Sequence, residues 1–174
     1  MQLAIQYIRS SQLLLTLVGV TLLFLCGQVS IPLQPVPISL QTAAVLIIGL
    51  TFAKADALRS IVSYLALGAL GLPIFANFTG GLPKLMGPTG GYLFGFLAAI
   101  WIMCELRERI VYLGAKEMVL IALAGNAIIY LFGLPWLSAY VGWDFAVAAG
   151  FMPFIIPGLV KSVLVAFAVR YIKK

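Results

Sequence analysis

The chain has 174 residues, 63% of them hydrophobic, a formal charge of +6 and no histidine, and its mean hydropathy is +1.13. That apolar content exceeds what a water-soluble domain of this size hides, so the bilayer is its solvent. The charges sit in short loops and form no aromatic-interleaved basic face, which argues against nucleic acid. Without histidine, His-based metal sites and the commonest general base are excluded.

Residues 1–10 (MQLAIQYIRS) are mildly amphipathic and are expected at the membrane interface. They lack the small-residue cleavage site of a secretory signal and are expected to stay in the chain. The first predicted span runs from Gln12 to Cys26 and ends at Gly27. Pro32, Pro35 and Pro37 then impose an extended path. The second predicted span, Leu40 to Phe52, has Gln41 and Thr42 at its start and is short for a crossing, which takes around 20 residues. Either it crosses a thinned region with little tilt, or the extended segment dips into the protein. The third, Ala57 to Leu72, carries Gly68 and Gly71 with several alanines, a composition suited to close helix contact.

Leu72 to Phe96 (LPIFANFTGGLPKLMGPTGGYLFGF) is the most irregular stretch. Its six glycines and three prolines preclude a regular helix through it. Phe75, Phe78, Leu82, Leu85, Met86, Tyr92 and Phe94 make it too apolar for a solvated linker. Irregular backbone at membrane depth must lie on protein or line a cavity. The reading is a structured cap over a pocket walled by helices; the alternative is an ordered connector.

The fourth predicted span is Gly90 to Cys104, followed by the charged run ELRERIVYLGAKE. The fifth starts near Met118 and is expected to break at Gly133 and Pro135, with a loop after it carrying Trp136, Tyr140, Trp143 and Asp144. Those aromatics suit an interfacial belt as well as a site. The sixth runs from Phe151 to Ile172, with Pro153, Pro157 and Gly158 near its start. The whole of residues 1–174 reads as one membrane domain.

Six spans place both termini on one side. That side collects Arg9, Lys54, Arg59, Arg107, Arg109, Lys116, Arg170, Lys173 and Lys174, against Lys84 alone on the other. Positive residues favour the cytoplasm, so both ends are expected there and the cap outside. Cys26 and Cys104 then fall near opposite faces, and no disulfide is expected.

No G-x-x-x-x-G-K-[ST] phosphate loop occurs. Asp56, Glu105, Glu108, Glu117 and Asp144 all lie in loops or at span ends, so no carboxylate is available inside a span for ion-driven transport. The serines have neither histidine nor intramembrane aspartate to activate them, so the chain is not expected to be an enzyme or to carry a cofactor or metal. Lys161 is the ionisable residue inside a span, eight residues past Pro153 and about 12 Å along a helix that starts there. Such a lysine suggests a site, and a carboxylate ligand is its natural partner. Alternatively it snorkels or pairs with Asp144. If Pro157 is the first helical residue, Lys161 lies one turn in, beside free backbone N–H groups.

Several motifs carry a family resemblance: Ser30-Ile-Pro-Leu, Val36-Pro-Ile-Ser-Leu-Gln-Thr, Gly71-Leu-Pro-Ile-Phe-Ala, Gly80-Gly, Gly87-Pro-Thr-Gly-Gly-Tyr-Leu-Phe-Gly-Phe, Pro153-Phe and Lys161. Together they span nearly the whole chain, which resembles the BioY family of biotin-binding S-components of energy-coupling-factor (ECF) vitamin transporters. The resemblance implies an all-α, six-transmembrane-helix S-component fold in the cell membrane with a glycine-rich outer loop. It also implies a biotin site open to the outside, with Asn77, Gly90, Gly91, Tyr92 and Lys161 as ligand-binding residues. The implied partners are a transmembrane T-component and two ABC-type ATPases, which alone use ATP. Two positions depart from the family's pattern. Its Pro-Gly-Asp before Leu-x-Lys reads Ile156-Pro157-Gly158 here, and its first-helix Ala-x-x-x-Ala-like face is bulkier, with Gly19 the main small residue. Biotin's bicycle, ureido group and carboxylate suit an aromatic cap, amide partners and a lysine. The rival readings are a ligand-free scaffold subunit, an S-component for another small carboxylate vitamin, and a membrane enzyme.

Overall fold

The computed structural model describes the backbone of residues 2–172 and the side chains of residues 11–172. Met1, Lys173, Lys174 and the side chain of Arg9, all used in the charge count or the interfacial reading, lie outside the described residues.

Apolar sequence in lipid must satisfy its own backbone, and here it does so with helices. They are α1 (Gln2–Gln28), α2 (Gln41–Thr51), α3 (Lys54–Ala69), α4 (Leu82–Leu85), α5 (Gly90–Arg109), α6 (Ala115–Val141), α7 (Trp143–Gly150) and α8 (Met152–Ile172). Four segments are long and apolar enough to cross a membrane: Ser11–Gln28 of α1, then α5, α6, and α7 with α8. At 11 and 16 residues, α2 and α3 are shorter. Of the six expected spans, four correspond to segments long and apolar enough for a full crossing, while the second and third correspond to the shorter α2 and α3.

The proline-rich segment after α1 does not simply run extended. It folds back as a small antiparallel hairpin in which β1 (Ser30–Ile31) pairs with β2 (Ile38–Ser39), Ser30 opposite Ser39. Backbone bonds from Leu33 to Ile31 (2.8 Å) and from Leu40 to Val29 (2.9 Å) close it. It delivers Ser39, Gln41 and Thr42 to the start of α2.

The break expected at Gly133 and Pro135 does not occur, for α6 runs unbroken through both, and Trp136 and Tyr140 lie on that helix. Trp143 and Asp144 open α7. Proline is tolerated inside a membrane helix when its neighbours compensate. Here the far end of α6 is held to the cap: Trp136 Nε1 donates to the Gly87 carbonyl at 2.9 Å, and the Tyr140 hydroxyl donates to that of Met86. Gly133 leaves room for Tyr92, since a Cβ there would meet its ring.

The core lies in two layers. Leu23, Ile48, Ile61, Tyr64, Phe75 and Ile100 are buried among α1, α2, α3, α5 and the cap. Leu46, Leu50, Met103, Met118, Ile121 and Ala166 fill the other end, among α2, α5, α6 and α8. Gly95 lets α5 approach α6 so closely that a Cβ would stand 3.0 Å from the Ile129 carbonyl.

Candidate functional site

The cap is pinned at several points. A bridge between Phe75 and Thr79 closes a tight turn around Asn77 (φ 60°) and Phe78 (φ 53°). Gln28, at the end of α1, holds this turn with both ends of its amide, donating to the Phe75 carbonyl at 3.2 Å and accepting from the Phe78 N–H at 2.8 Å. The Phe75 ring packs on Gly68 of α3, where a Cβ would collide with it, and meets Tyr64 edge-on at 5.4 Å.

Beneath the cap lies a pocket of about 680 Å³, its mouth included. The walls are mostly apolar, with Phe75, Leu93, Phe96, Ile129 and Phe154 among them, and Tyr92 and Tyr130 beside them. The polar side chains lining it are Ser39, Gln41, Thr42, Lys84, Thr89 and Lys161. Among the described residues its lining includes two lysines and no carboxylate. The ion pairs among the described residues, Lys54–Glu105, Arg59–Asp56 and Arg109–Glu105, involve none of the lining residues.

Lys161 reaches the pocket from α8. That helix starts at Met152 and contains Pro157, so Lys161 is well inside it and not one turn from its start. Its ammonium donates to the Ser39 carbonyl at 2.7 Å and to Thr42 Oγ1 at 2.9 Å. It makes no ion pair with Asp144, the protein anion proposed as its alternative partner. An ammonium has three N–H donors, so one remains. Its two neutral oxygens solvate the charge without neutralising it. Lys84, in the cap, is also half-buried, and burial pushes its ammonium below the usual lysine range.

Of the other expected site residues, Tyr92 lines the pocket with its ring and donates its hydroxyl to the Gly150 carbonyl at 2.9 Å. Gly90 and Gly91 are buried behind the lining. A Cβ on Gly90 would strike the Leu85 carbonyl, and one on Gly91 would strike Trp136. Asn77 is exposed and turned to the hairpin, its Oδ1 accepting from Ser30 Oγ at 2.7 Å. The structure thus brings Lys161 and Tyr92 into the lining and leaves the two glycines and Asn77 out of it.

Gln41, Thr42, Thr89, Lys84 and Tyr130 line the pocket without having been singled out as site residues. Gln41 and Thr42 carried a signal, as polar residues opening an apolar helix. Gln41 is buried and donates to the Tyr64 hydroxyl.

A polytopic helical membrane protein with one end closed by a cap, and a two-lysine apolar pocket beneath it, is a ligand-binding membrane subunit in form. The BioY family model matches residues 1–174, and the chain belongs to the BioY family. It is 37% identical over 154 residues to a probable biotin transporter BioY of Pyrococcus horikoshii, covering 88% of this chain and 91% of the relative. It is 40% identical over 151 residues to the biotin transporter BioY of Thermotoga maritima, covering 84% and 86% of the two chains. The crystal structure of the S-component for biotin from an ECF-type ABC transporter superposes with a TM-score of 0.82 at 23% identity, covering 95% of this chain and 92% of that one. The fold is therefore that of an ECF S-component.

Proposed function

We propose that this chain captures biotin at the outer face of the cell membrane and serves as the substrate-binding subunit for its uptake. The observation that carries this reading is Lys161, a lysine inside a membrane helix whose protein partners are neutral oxygens, facing an apolar pocket that holds no carboxylate. A cation so placed favours an anionic ligand. Biotin supplies a carboxylate for it and an apolar bicycle for Phe75, Phe96 and Tyr92. The names carried by the relatives, biotin transporters, support the same choice.

With no phosphate loop and with its carboxylates kept to loops and to the end turns of helices, the chain does not energise transport itself. Concentrative uptake then requires a T-component and two ABC-type ATPases, which alone consume ATP. The chain needs no cofactor and is not an enzyme. The charge asymmetry supports cytoplasmic termini and an outward-facing cap.

Binding of labelled biotin to the purified protein tests this reading. Saturable binding displaced by free biotin is the expected result. Displacement instead by another carboxylate vitamin would reassign the substrate, and no binding would favour a scaffold role.

A further inference from the structure

Thr89 stands at the start of α5 without capping it. An N-cap threonine ordinarily turns its hydroxyl onto an N–H of the first helical turn. Thr89 instead has φ −88° and ψ −5° and makes no side-chain cap bond. Its residue is 8% exposed, its hydroxyl oxygen is buried, and that oxygen has no hydrogen-bond partner. Native structures hold few such atoms, and each asks for a reason. Thr89 also lines the pocket.

Lys84 is five residues earlier and lines the same pocket. It is half-buried, and among the described residues its ammonium forms no ion pair. The third feature on this side is the N-terminus of α5, a helix of 20 residues. Its first N–H groups are largely committed, Gly90 to the Gly87 carbonyl at 2.9 Å and Tyr92 to that of Thr89 at 3.2 Å, so it adds the positive pole of the helix dipole and no set of free donors. Thr89 and Lys84 thus place two donors to an anion on the cap side of one cavity, and among the described residues neither has a protein acceptor in hand. On α8, Lys161 commits two of its three N–H groups to Ser39 and Thr42.

We propose that Thr89 and Lys84 complete the site for the ligand's acid group from the cap side. The hydroxyl and the cap ammonium bind the carboxylate together with the remaining N–H of Lys161. A carboxylate accepts about four hydrogen bonds on two oxygens, enough for all three donors. This rests on the reading of the pocket as a biotin site and deepens it, naming the residues that tell the acid from a neutral analogue. It also ties the cap to α8 through the ligand, so that an occupied site holds its own cover.

The test uses the purified full chain and measures displacement of labelled biotin by biotin and by biotinamide. Variants are Thr89→Val, Thr89→Ser, Lys84→Met and Lys84→Arg. Thr89→Val and Lys84→Met should each weaken biotin by about tenfold or more, the scale of a hydrogen bond to a charged group. Biotinamide affinity should stay as in wild type, and Thr89→Ser and Lys84→Arg should recover most of the loss. The melting temperature of ligand-free Thr89→Val should not fall, since the hydroxyl makes no bond in the empty protein. Wild-type biotin affinity in either Thr89→Val or Lys84→Met, or equal losses for acid and amide, overturns the inference. Wild-type protein that binds no biotin overturns the biotin reading and this one together.

Discussion

The Tyr64 hydroxyl on α3 donates to the Ile74 carbonyl at the root of the cap, 2.9 Å away, in a fully buried position. The same oxygen accepts from Gln41, which lines the pocket. Cap and pocket floor are thus joined through one phenol. Tyr64→Phe should destabilise the protein by about 1–3 kcal/mol, the cost of buried groups left unpaired. Thermal unfolding of Tyr64→Phe, Gln41→Leu and the double variant checks it. If the three groups act as a unit, the double variant loses less than the two single losses added together. Strict additivity would show that the contacts are independent.

Asn77 separates a backbone role from a ligand role. Its φ of 60° and ψ of 38° lie in the left-handed region, where asparagine and glycine are favoured. Its side chain reaches Ser30 and is absent from the lining. Asn77→Gly should therefore keep biotin affinity within a few-fold, while Asn77→Ala should cost about 1–2 kcal/mol of stability through the left-handed backbone. Equal, large losses of biotin affinity in both variants would instead make the Asn77 side chain a ligand contact.

The sequence exposed some of this architecture and hid the rest for physical reasons. Long apolar runs marked the helices, and clustered Gly and Pro between Leu72 and Gly91 marked the cap, because both signals are local. Pro135 misled for the same reason: its local effect is to break a helix, but the bonds from Trp136 and Tyr140 to the 86–87 backbone keep α6 going. Lys161 was conspicuous because charge inside a span is rare. Thr89 and Lys84 were not, because their importance lies in what they fail to bond, and that is visible only once the fold surrounds them. Gly90 and Gly91 belong to the motif that identifies the family, yet they serve by letting Leu85 and Trp136 approach.

Topology is testable with exposed positions at the two ends. Met86 in the cap and Val111 between α5 and α6 are both solvent- or lipid-accessible, at 54% and 105% exposure. In a background with Cys26 and Cys104 replaced, a membrane-impermeant thiol reagent applied to intact cells should label Met86→Cys and spare Val111→Cys. The charge asymmetry motivates this expectation. The reverse pattern would turn the cap, and with it the pocket mouth, to the cytoplasm.

Lys161 carries two loads that one experiment can separate. Its ammonium ties α8 to the hairpin through Ser39 and to α2 through Thr42, at 2.7 and 2.9 Å. Each such bond contributes about 1 kcal/mol net, so Lys161→Ala should lower stability modestly even with no ligand present. As the proposed partner of the biotin carboxylate, it should also lower affinity by about 2–5 kcal/mol, the range for removing one member of a buried charge pair. Loss of affinity alone does not distinguish these, because a displaced hairpin also deforms the pocket. Biotinamide does. Wild-type protein should bind the amide much more weakly than the acid, since the anion is gone, while Lys161→Ala should show a clearly smaller preference for acid over amide, the remainder coming from Lys84 and Thr89. A damaged pocket without a charge contact gives a different result, in which acid and amide lose the same factor and their ratio stays at the wild-type value. That constant ratio would leave Lys161 as the clasp between α8 and α2 and place the carboxylate elsewhere in the pocket.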